Sequence, residues 1–304
     1  MTNSFHKIIK AVGTGPKHNH DLTQEEMKNA MCDILSKKVY NEQISAFLLG
    51  WRLKPETTDE FKGALDGFDE FIKKTTIKDS VEVGYPYDGR VNNPHLFVLV
   101  AKFVAQFNLN IVVSGDKIQP AKNGVTVKDI CSNYPNIDEV KNLHFFNRED
   151  FLTELSSLTE VRQRLGLRTG LNSIERLLNP ANSKIALLGV FHKPFVQKYA
   201  DVFSNRYEKF VIVKGDEGTP EIFSKSKYWI VQNNEMTEYS IDPAEFGINY
   251  VKPSEPLSLE KSLEAIKNPD EELTKIAKLN AAMILFTYGK VNSIKEGYEK
   301  LTQY

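Results

Sequence analysis

The amino-acid sequence predicts a mixed α/β protein in which an all-helical N-terminal region precedes a larger region built on a mainly parallel sheet. Up to about residue 75, apolar residues recur at helical spacing with no strand-like run between them. After residue 80, short apolar runs such as 110–113, 185–190, 210–213 and 228–231 alternate with helical stretches such as 94–107 and 194–203. Strands that alternate with helices are typical of a largely parallel sheet with helices covering both faces.

The helical N-terminal region contains a clear helix start. Thr23 is a suitable N-cap residue, and Glu26 follows three positions later. This spacing is that of a capping box at the start of a helix. A later stretch, 157–178, is helical again and could return to pack on the N-terminal helices. Three apolar faces follow the capping box at helical spacing: Met27, Met31, Ile34 and Leu35; Ile44, Phe47, Leu48 and Trp51; and Phe61, Leu65, Phe68 and Ile72.

Composition excludes several classes of protein. A length of 304 residues and a hydrophobic share of 41% support a buried core. The 39 Lys and Arg nearly cancel the 40 Asp and Glu, so any binding to nucleic acid must come from a local patch. Cys32 and Cys131 fit neither a disulfide framework nor a zinc site. With no signal-peptide or membrane-length apolar run, the sequence predicts a cytoplasmic protein without a membrane partner.

Several short motifs follow one another in a specific order along nearly the whole chain. Those before residue 60 are Leu22-Thr23-x-Glu25-Glu26, Gln43-Ile44-x-Ala46-Phe47-Leu48 and Arg52-x-Lys54-x-Glu56-Thr57. Those after residue 160 are Val161-Arg162-x-x-Leu165-Gly166-x-Arg168-Thr169-x-x-Asn172, Leu178-Asn179-Pro180-Ala181, Gly189-Val190-Phe191-His192 and Asp242-Pro243-Ala244-Glu245-Phe246-Gly247. Their order and spacing resemble the anthranilate phosphoribosyltransferase family, a part of glycosyltransferase family 3.

The resemblance implies a small helical domain, a large α/β domain, and a cleft between them. In this chain the helical domain would comprise residues 1–78 with 157–182, and the α/β domain residues 79–156 with 183–304. The family often forms dimers through the helical domain, so the resemblance also implies a homodimer.

The diphosphate cradle of that family is strongly altered here. Its enzymes displace pyrophosphate from phosphoribosyl pyrophosphate, so they need backbone N–H donors, cations and carboxylates that hold magnesium. The family's Gly-Thr-Gly-Gly-Asp-Gly turn matches the segment from Gly84 to Gly89, which contains Tyr85, Tyr87 and Asp88. Pro86 has no N–H to donate, and the two tyrosines fill space that glycine leaves open. We expect a degenerate phosphoribosyl pyrophosphate site.

The next phosphate motifs keep isolated cations. The family's Lys-His-Gly-Asn-Arg matches residues 113–117, of which Gly115 and the positive charge of Lys117 remain. Its Ser-Ser-Lys-Ser-Gly matches residues 120–124, which keep Lys122 and Gly124. The arginine that contacts the anthranilate carboxylate in the family is Arg162 here, and a guanidinium can bind any carboxylate or phosphate.

The magnesium-binding Asp-Glu pair of the family is half present. Pro220 stands at the Asp position, whereas Glu221 is retained. Asp216 and Glu217 could supply replacement oxygens, which makes these three carboxylates the candidate metal ligands. The alternative interpretation treats all three as solvated loop charges, so magnesium is an open expectation and no cofactor is assigned.

A basic stretch offers another use for the cleft. The sequence between Leu158 and Ala200 contains seven basic residues and only two acidic ones. If they line the cleft with Arg90, Lys117 and Lys122, the ring faces of Tyr85, Tyr87 and Phe191 would complete a surface suited to single-stranded nucleic acid; the alternative is an ordinary solvated surface. The segment from Gly84 to Arg90 also resembles a branch of the family that lacks the usual activity and is described as nucleic-acid binding.

These observations support three hypotheses. The first is a protein that binds nucleic acid or another polyanion in the cleft, and the second is an active phosphoribosyltransferase acting with magnesium on anthranilate or another aromatic acceptor. The third is a carboxylate binder anchored by Arg162 and Arg168. No catalytic residue is assigned, and His192 fits a helix cap as well as a general base. The candidate phosphate or polyanion contacts are Gly84, Tyr85, Asp88, Gly89, Arg90, Lys117, Lys122, Arg162 and Arg168.

Overall fold

The N-terminal region is a bundle of four helices. The computed structural model describes residues 5–303. The helices are α1 (Phe5–Gly13), α2 (Gln24–Leu35), α3 (Asn41–Leu53) and α4 (Thr58–Asp69). The predicted capping box is confirmed at the start of α2, where the Thr23 hydroxyl accepts from the N–H of Glu26 at 3.2 Å and the Glu26 carboxylate accepts from the N–H of Thr23 at 3.0 Å.

A buried glutamate ties the bundle together. Glu60, in the first turn of α4, is fully buried. Its carboxylate accepts from the Trp51 indole at 3.0 Å and the Leu22 N–H at 2.9 Å, and the Lys54 ammonium lies 2.9 Å away. These contacts join α4 to α3 and to the segment before α2, so both oxygens of the buried Glu60 carboxylate have partners.

The second region is built on one seven-stranded sheet. The strands are β1 (Ser80–Gly84), β2 (Asn110–Gly115), β3 (Leu143–Asn147), β4 (Ile185–Gly189), β5 (Lys209–Val213), β6 (Ser226–Gln232) and β7 (Glu235–Ile241). Their order is β3-β2-β1-β4-β5-β6-β7. The first five are parallel, and β6 and β7 form an antiparallel extension at one edge. The mainly parallel sheet is confirmed.

Helices cover both faces of this sheet. They are α5 (Phe97–Val104), α6 (Val127–Asn133), α7 (Arg148–Phe151), α8 (Thr153–Ser156), α9 (Thr159–Leu165), α10 (Leu171–Ile174), α11 (Pro194–Phe203), α12 (Leu259–Lys267), α13 (Glu271–Tyr288) and α14 (Ile294–Thr302). One apolar core lies between the sheet and the helical bundle, and a second lies on the opposite face around α5 and α13. None of the described helices combines the length and the apolar character that a bilayer crossing needs.

The stretch 157–178 folds as two short helices instead of one. Gly166 ends α9 with a φ of +70°, which glycine adopts without strain. Leu171, Leu177 and Leu178 nevertheless enter the same core as the N-terminal helices. The division into residues 1–78 with 157–182 and residues 79–156 with 183–304 stays a prediction, and residues 1–4 and 304 of those ranges lie outside the described residues.

A buried ionic cluster joins these two regions. Arg162, in the last turn of α9, donates to both oxygens of Glu175 at 2.6 and 2.8 Å. Arg148, from α7, pairs with the same Glu175 and with Asp116, whose Oδ2 lies 2.6 Å from its Nε. All four side chains are completely buried. We call these residues, Asp116, Arg148, Arg162 and Glu175, the hinge cluster.

Candidate ligand cleft

A cavity of about 480 Å³ opens at the carboxyl ends of β1, β4 and β5, facing the helical bundle. In sheets of this kind, ligands bind outside the carboxyl ends of the strands. Its cationic lining is Arg52, Lys122, Arg168 and Arg176, and the carboxylates among its lining residues are Asp88 and Glu217. Further lining residues are Val91, Asn92, Thr169, Asn172, Ser173, Val190, Phe191, His192, Phe195 and Tyr199.

The turn after β1 uses its own backbone donors internally. Gly89 has a φ of +76°, and a Cβ there would lie 2.3 Å from the Gly124 carbonyl oxygen, so only glycine fits. The N–H of Gly89 donates to Pro86 O at 3.4 Å, and the N–H of Arg90 donates to Val125 O at 2.9 Å. These two N–H groups are therefore not free to hold a phosphate.

The two tyrosines of this turn lie in the interior. Tyr85 is 3% exposed and its hydroxyl donates to Glu221 Oε1 at 2.8 Å. Tyr87 is also buried, with the guanidinium carbon of Arg148 4.5 Å from its ring centre. Burial raises the pKa of both phenols well above the ordinary value. The expectation that these ring faces line the groove is wrong, because each ring has a partner inside the protein.

Gly84 and Arg90 are also enclosed. A Cβ on Gly84 would lie 2.9 Å from the Leu177 side chain, so this glycine allows the segment after α10 to pack closely on β1. Arg90 is 1% exposed, and its Nη1 pairs with Glu221. Neither residue presents a group to the cavity, so the expectation that they contact an anion does not fit this geometry.

The carboxylate of Glu217 accepts hydrogen bonds from backbone N–H groups beside the turn that follows β1. The donors are the N–H of Val91 at 2.9 Å and the N–H of Asn92 at 3.0 Å. Burial acts to raise the pKa of Glu217, but these two hydrogen bonds and the nearby Arg90 and Lys122 outweigh it and lower the pKa. The Glu217 carboxylate therefore uses backbone N–H groups that an anionic ligand would otherwise bind.

The candidate metal ligands are all engaged by the protein. Asp216 accepts from the Asn93 amide, Glu217 is held as described, and Glu221 is held by Tyr85, Arg90 and the N–H of Leu96 at 2.6 Å. Within residues 5–303, no three His, Cys, Asp or Glu side chains are grouped so that they could hold a metal ion. The carboxylates as placed do not fit magnesium, because their oxygens accept from protein donors.

Asp88 and Lys122 do face the cavity. Arg168 Nε donates to Asp88 Oδ2 at 2.9 Å, and Arg168 is 47% exposed. Lys122 Nζ lies 3.9 Å from Asp88 and 3.7 Å from Glu217. Burial lowers the pKa of Lys122, although both carboxylates oppose that effect. Lys122 Nζ also donates to the Glu217 carbonyl oxygen at 3.3 Å, and the side chain lines the cavity.

Two further predicted contacts lie away from the cavity. Arg162 is completely buried in the hinge cluster, so it offers no donor to a ligand, and the expectation that it binds an anion does not fit the structure. Lys117 is exposed but pairs with Glu149 at 2.7 Å and does not line the cavity. Of the seven basic residues between Leu158 and Ala200, only Arg168 and Arg176 line it.

The predicted set of candidate contacts missed Arg52 and Arg176. Arg176 Nη1 donates to Gly189 O at 3.1 Å and to Gly218 O at 2.9 Å, which fixes its guanidinium across the ends of β4 and β5. Arg52 reaches the cavity from the end of α3. The sequence feature that could have identified Arg52 is its place in a motif of the helical region. For Arg176, that feature is its place in the basic stretch.

A second cavity of about 530 Å³ adjoins the first across Phe191 and Glu217, which line both. Its cations are Lys214, Lys225 and Lys227. Phe191 is 61% exposed although it is a large apolar residue. A solvent-exposed aromatic ring therefore lies between two spaces that are both lined by cations. We call the two cavities together with Phe191 the basic groove.

Comparison with known proteins places this fold. The model described as "Glycosyl transferase family, helical bundle domain" matches residues 6–71, and that described as "Glycosyl transferase family, a/b domain" matches residues 113–304. An anthranilate phosphoribosyltransferase from Pseudomonas syringae is 29% identical, over 91% of this chain and 86% of that protein. An uncharacterised protein from Aquifex aeolicus is 28% identical, over 91% of each chain.

Solved structures agree on the fold. Anthranilate phosphoribosyltransferase from Thermus thermophilus superimposes with a TM-score of 0.78 at 19% identity, covering 99% of this chain and 94% of that one. The Saccharomyces cerevisiae enzyme, in complex with phosphoribosyl pyrophosphate and Mg, gives a TM-score of 0.78 at 16% identity, covering 99% and 93%. At this identity the likeness concerns the fold alone.

Proposed function

The chain belongs to the glycosyl transferase family with a helical bundle and an a/b domain, and we propose that it uses its interdomain cleft to bind single-stranded nucleic acid. The observation that carries this proposal is the exposed ring of Phe191 between two cation-lined cavities. Bases stack on exposed aromatic rings while spaced cations follow the phosphates, and neither contact requires a particular sequence.

The charges of the basic groove support a polyanionic ligand. The first cavity has four Lys or Arg side chains and two carboxylates, and the second, which shares Glu217, adds three lysines and Asp216. Asp88 already has Arg168 as a partner, and Glu217 accepts from two backbone N–H groups. Arg52, Arg176 and Lys214 are the cations that we propose for phosphate contacts, since Lys225 and Lys227 already pair with Asp242 and Glu238. A ligand that releases counterions from them will bind less tightly as salt rises.

The internal pairing of the cradle weighs against phosphoribosyl transfer as the main activity. A diphosphate would have to displace Glu217 from the N–H groups of Val91 and Asn92, and magnesium would have to displace Arg90 or Tyr85 from Glu221. Each displacement would leave a buried polar group without its partner, which costs about 1 to 3 kcal/mol.

Fluorescence anisotropy with a dT oligomer of about 15 nucleotides tests the proposal. We expect binding at low salt and a steep loss of affinity between about 50 and 200 mM salt. Replacing Arg176 with Ala lowers affinity, whereas Arg164→Ala does not, because Arg164 is exposed, pairs with Glu160, and lines neither cavity. Absence of binding at low salt would refute the proposal.

Calorimetry with phosphoribosyl pyrophosphate and magnesium separates this proposal from the alternative of an active phosphoribosyltransferase. We expect neither heat nor thermal stabilisation from the pair. Stabilisation that requires both compounds would favour the transferase and would justify activity assays with anthranilate and related aromatic acceptors.

We also propose a homodimer formed through the helical bundle. Tyr40 and Leu53, at the two ends of α3, are 63% and 72% exposed, so both side chains are accessible to a second copy of the chain. Sedimentation of the wild type and of the double variant Tyr40→Glu/Leu53→Glu tests this proposal. A wild-type protein that sediments as a monomer at micromolar concentration would contradict it.

A further inference from the structure

Arg90 lies between the carboxylates of the loop that follows β5. Its Nη1 pairs with Glu221, and its Nε lies 3.6 Å from Glu217 Oε2. The face of the Phe223 ring covers the guanidinium, 4.9 Å from its carbon. All of these charged side chains are more than nine-tenths buried. A fixed protein cation is thus enclosed by two anions.

Glu217 and Glu221 are both buried and require a counter-charge, because burying an unpaired charge is very unfavourable. In many phosphate-binding proteins that counter-charge is a divalent metal held by carboxylate oxygens. Here, Glu221 is the retained member of the pair that the sequence resemblance assigns to magnesium. The Arg90 Nη1 instead donates to Glu221 Oε2, and the Tyr85 hydroxyl donates to Oε1.

We propose that Arg90 is a resident cation that takes the place of a divalent metal between Glu217 and Glu221. The Arg90 guanidinium is a cation that only donates hydrogen bonds, so unlike a metal it leaves no open coordination position. The loop after β5 therefore keeps its shape without metal, and anion binding in the basic groove is independent of divalent ions.

Titration of the wild-type protein with Mn²⁺, followed by the EPR signal of the free ion, is the first measurement. It needs no nucleic acid, so its outcome is separate from the proposed function. We expect no site within the accessible concentration range. A wild-type Mn²⁺ site that Glu221→Gln removes would overturn the inference.

Removal of the resident cation is the second measurement. Arg90→Met removes the cation shared by Glu217 and Glu221 and frees Glu221 Oε2 while filling similar volume, with Lys122 still 3.7 Å from Glu217. We expect the variant to gain one Mn²⁺ site. Adding Glu221→Gln should abolish that site, and Arg90→Lys should not create it, because the ammonium keeps the charge. A folded Arg90→Met variant that binds no Mn²⁺ contradicts the inference.

If Arg90→Met is unstable, recovery of its folded structure on adding Mn²⁺ serves as the measurement. Circular dichroism with and without Mn²⁺ then shows whether the metal restores the fold, and restoration supports the inference. If Mn²⁺ restores nothing, the inference is contradicted, because the two carboxylates then take up no metal in place of Arg90.

The third measurement rests on the proposed function. Affinity for the dT oligomer is compared in EDTA and in magnesium at equal ionic strength, and we expect no difference. A requirement for magnesium would overturn metal independence, whereas absence of binding in both buffers would count against the proposed function and leave the Mn²⁺ results standing.

Discussion

Arg168 donates from two of its nitrogens to the same carboxylate oxygen of Asp88, with Nε at 2.9 Å. Asp88 is only 4% exposed, whereas Arg168 is 47% exposed and forms part of the cavity wall. The carboxylate therefore competes with any anionic ligand for this guanidinium.

We expect Asp88→Asn to strengthen binding of the dT oligomer by about fivefold, which corresponds to about 1 kcal/mol. The amide oxygen can still accept from Arg168, but the negative charge that opposes a phosphate is gone. Anisotropy at low salt measures the change. Unchanged or weaker binding by a folded variant would show that Asp88 does not compete with the ligand.

Phe191 provides a second prediction. Phe191→Leu should weaken oligomer binding by roughly 1 to 3 kcal/mol, because leucine keeps the apolar surface but removes the ring on which a base stacks. Phe191→Trp keeps an aromatic face and should bind at least as well as the wild type. Equal affinities for the leucine and tryptophan variants would exclude stacking as the reason for the exposed ring.

A buried glutamate in β1 predicts a pH dependence of stability. Burial raises the pKa of Glu82 from 4.5 to about 7, with hydrogen bonds from Tyr207 at 2.5 Å and from the N–H of Asn179 at 3.1 Å opposing the shift. The folded protein binds this proton more tightly than the unfolded chain does. The free energy of unfolding that this group contributes is therefore complete below pH 4.5 and is lost as pH rises toward 7.

Glu82→Gln, which mimics the protonated acid, should remove that dependence. The difference in free energy of unfolding between the wild type and Glu82→Gln should change by at most roughly 3 kcal/mol between about pH 4.5 and pH 7. Urea unfolding at several pH values measures it. Parallel stability curves for the two proteins would mean that Glu82 does not titrate in this range.

The hinge cluster predicts a large effect of one neutral substitution. Glu175→Gln removes the carboxylate that Arg148 and Arg162 share and leaves Asp116 alone to balance two buried guanidinium groups. We expect the substitution to reduce the free energy of unfolding by about 3 to 5 kcal/mol. Glu160→Gln is the matched control, because that glutamate forms an exposed pair with Arg164 and should have no measurable effect. Similar stability of both variants would contradict the assigned role of the cluster.

Local patterns in the sequence predicted the elements, and contacts between distant segments determined which side chains reach the cleft. The capping box at Thr23 and the alternating strands depend on near neighbours, so they could be recognised directly. Tyr85 turns inward because it bonds to Glu221, 136 residues later. Arg162 is buried because it pairs with Glu175, whose carboxylate also accepts from Arg148 in the folded chain. The order of basic residues in the sequence does not show which of them pair with carboxylates in the folded chain.

The hinge cluster also determines how ionic strength acts on this molecule. Dissolved ions screen charges at the surface within about 10 Å at 0.1 M salt, but they screen buried pairs much less. The four side chains between the helical bundle and the sheet are completely buried. Added salt should therefore weaken contacts in the open groove while the separation of its walls stays constant. The salt dependence of affinity can then be attributed to the ligand's own counterions instead of to a change in the shape of the protein.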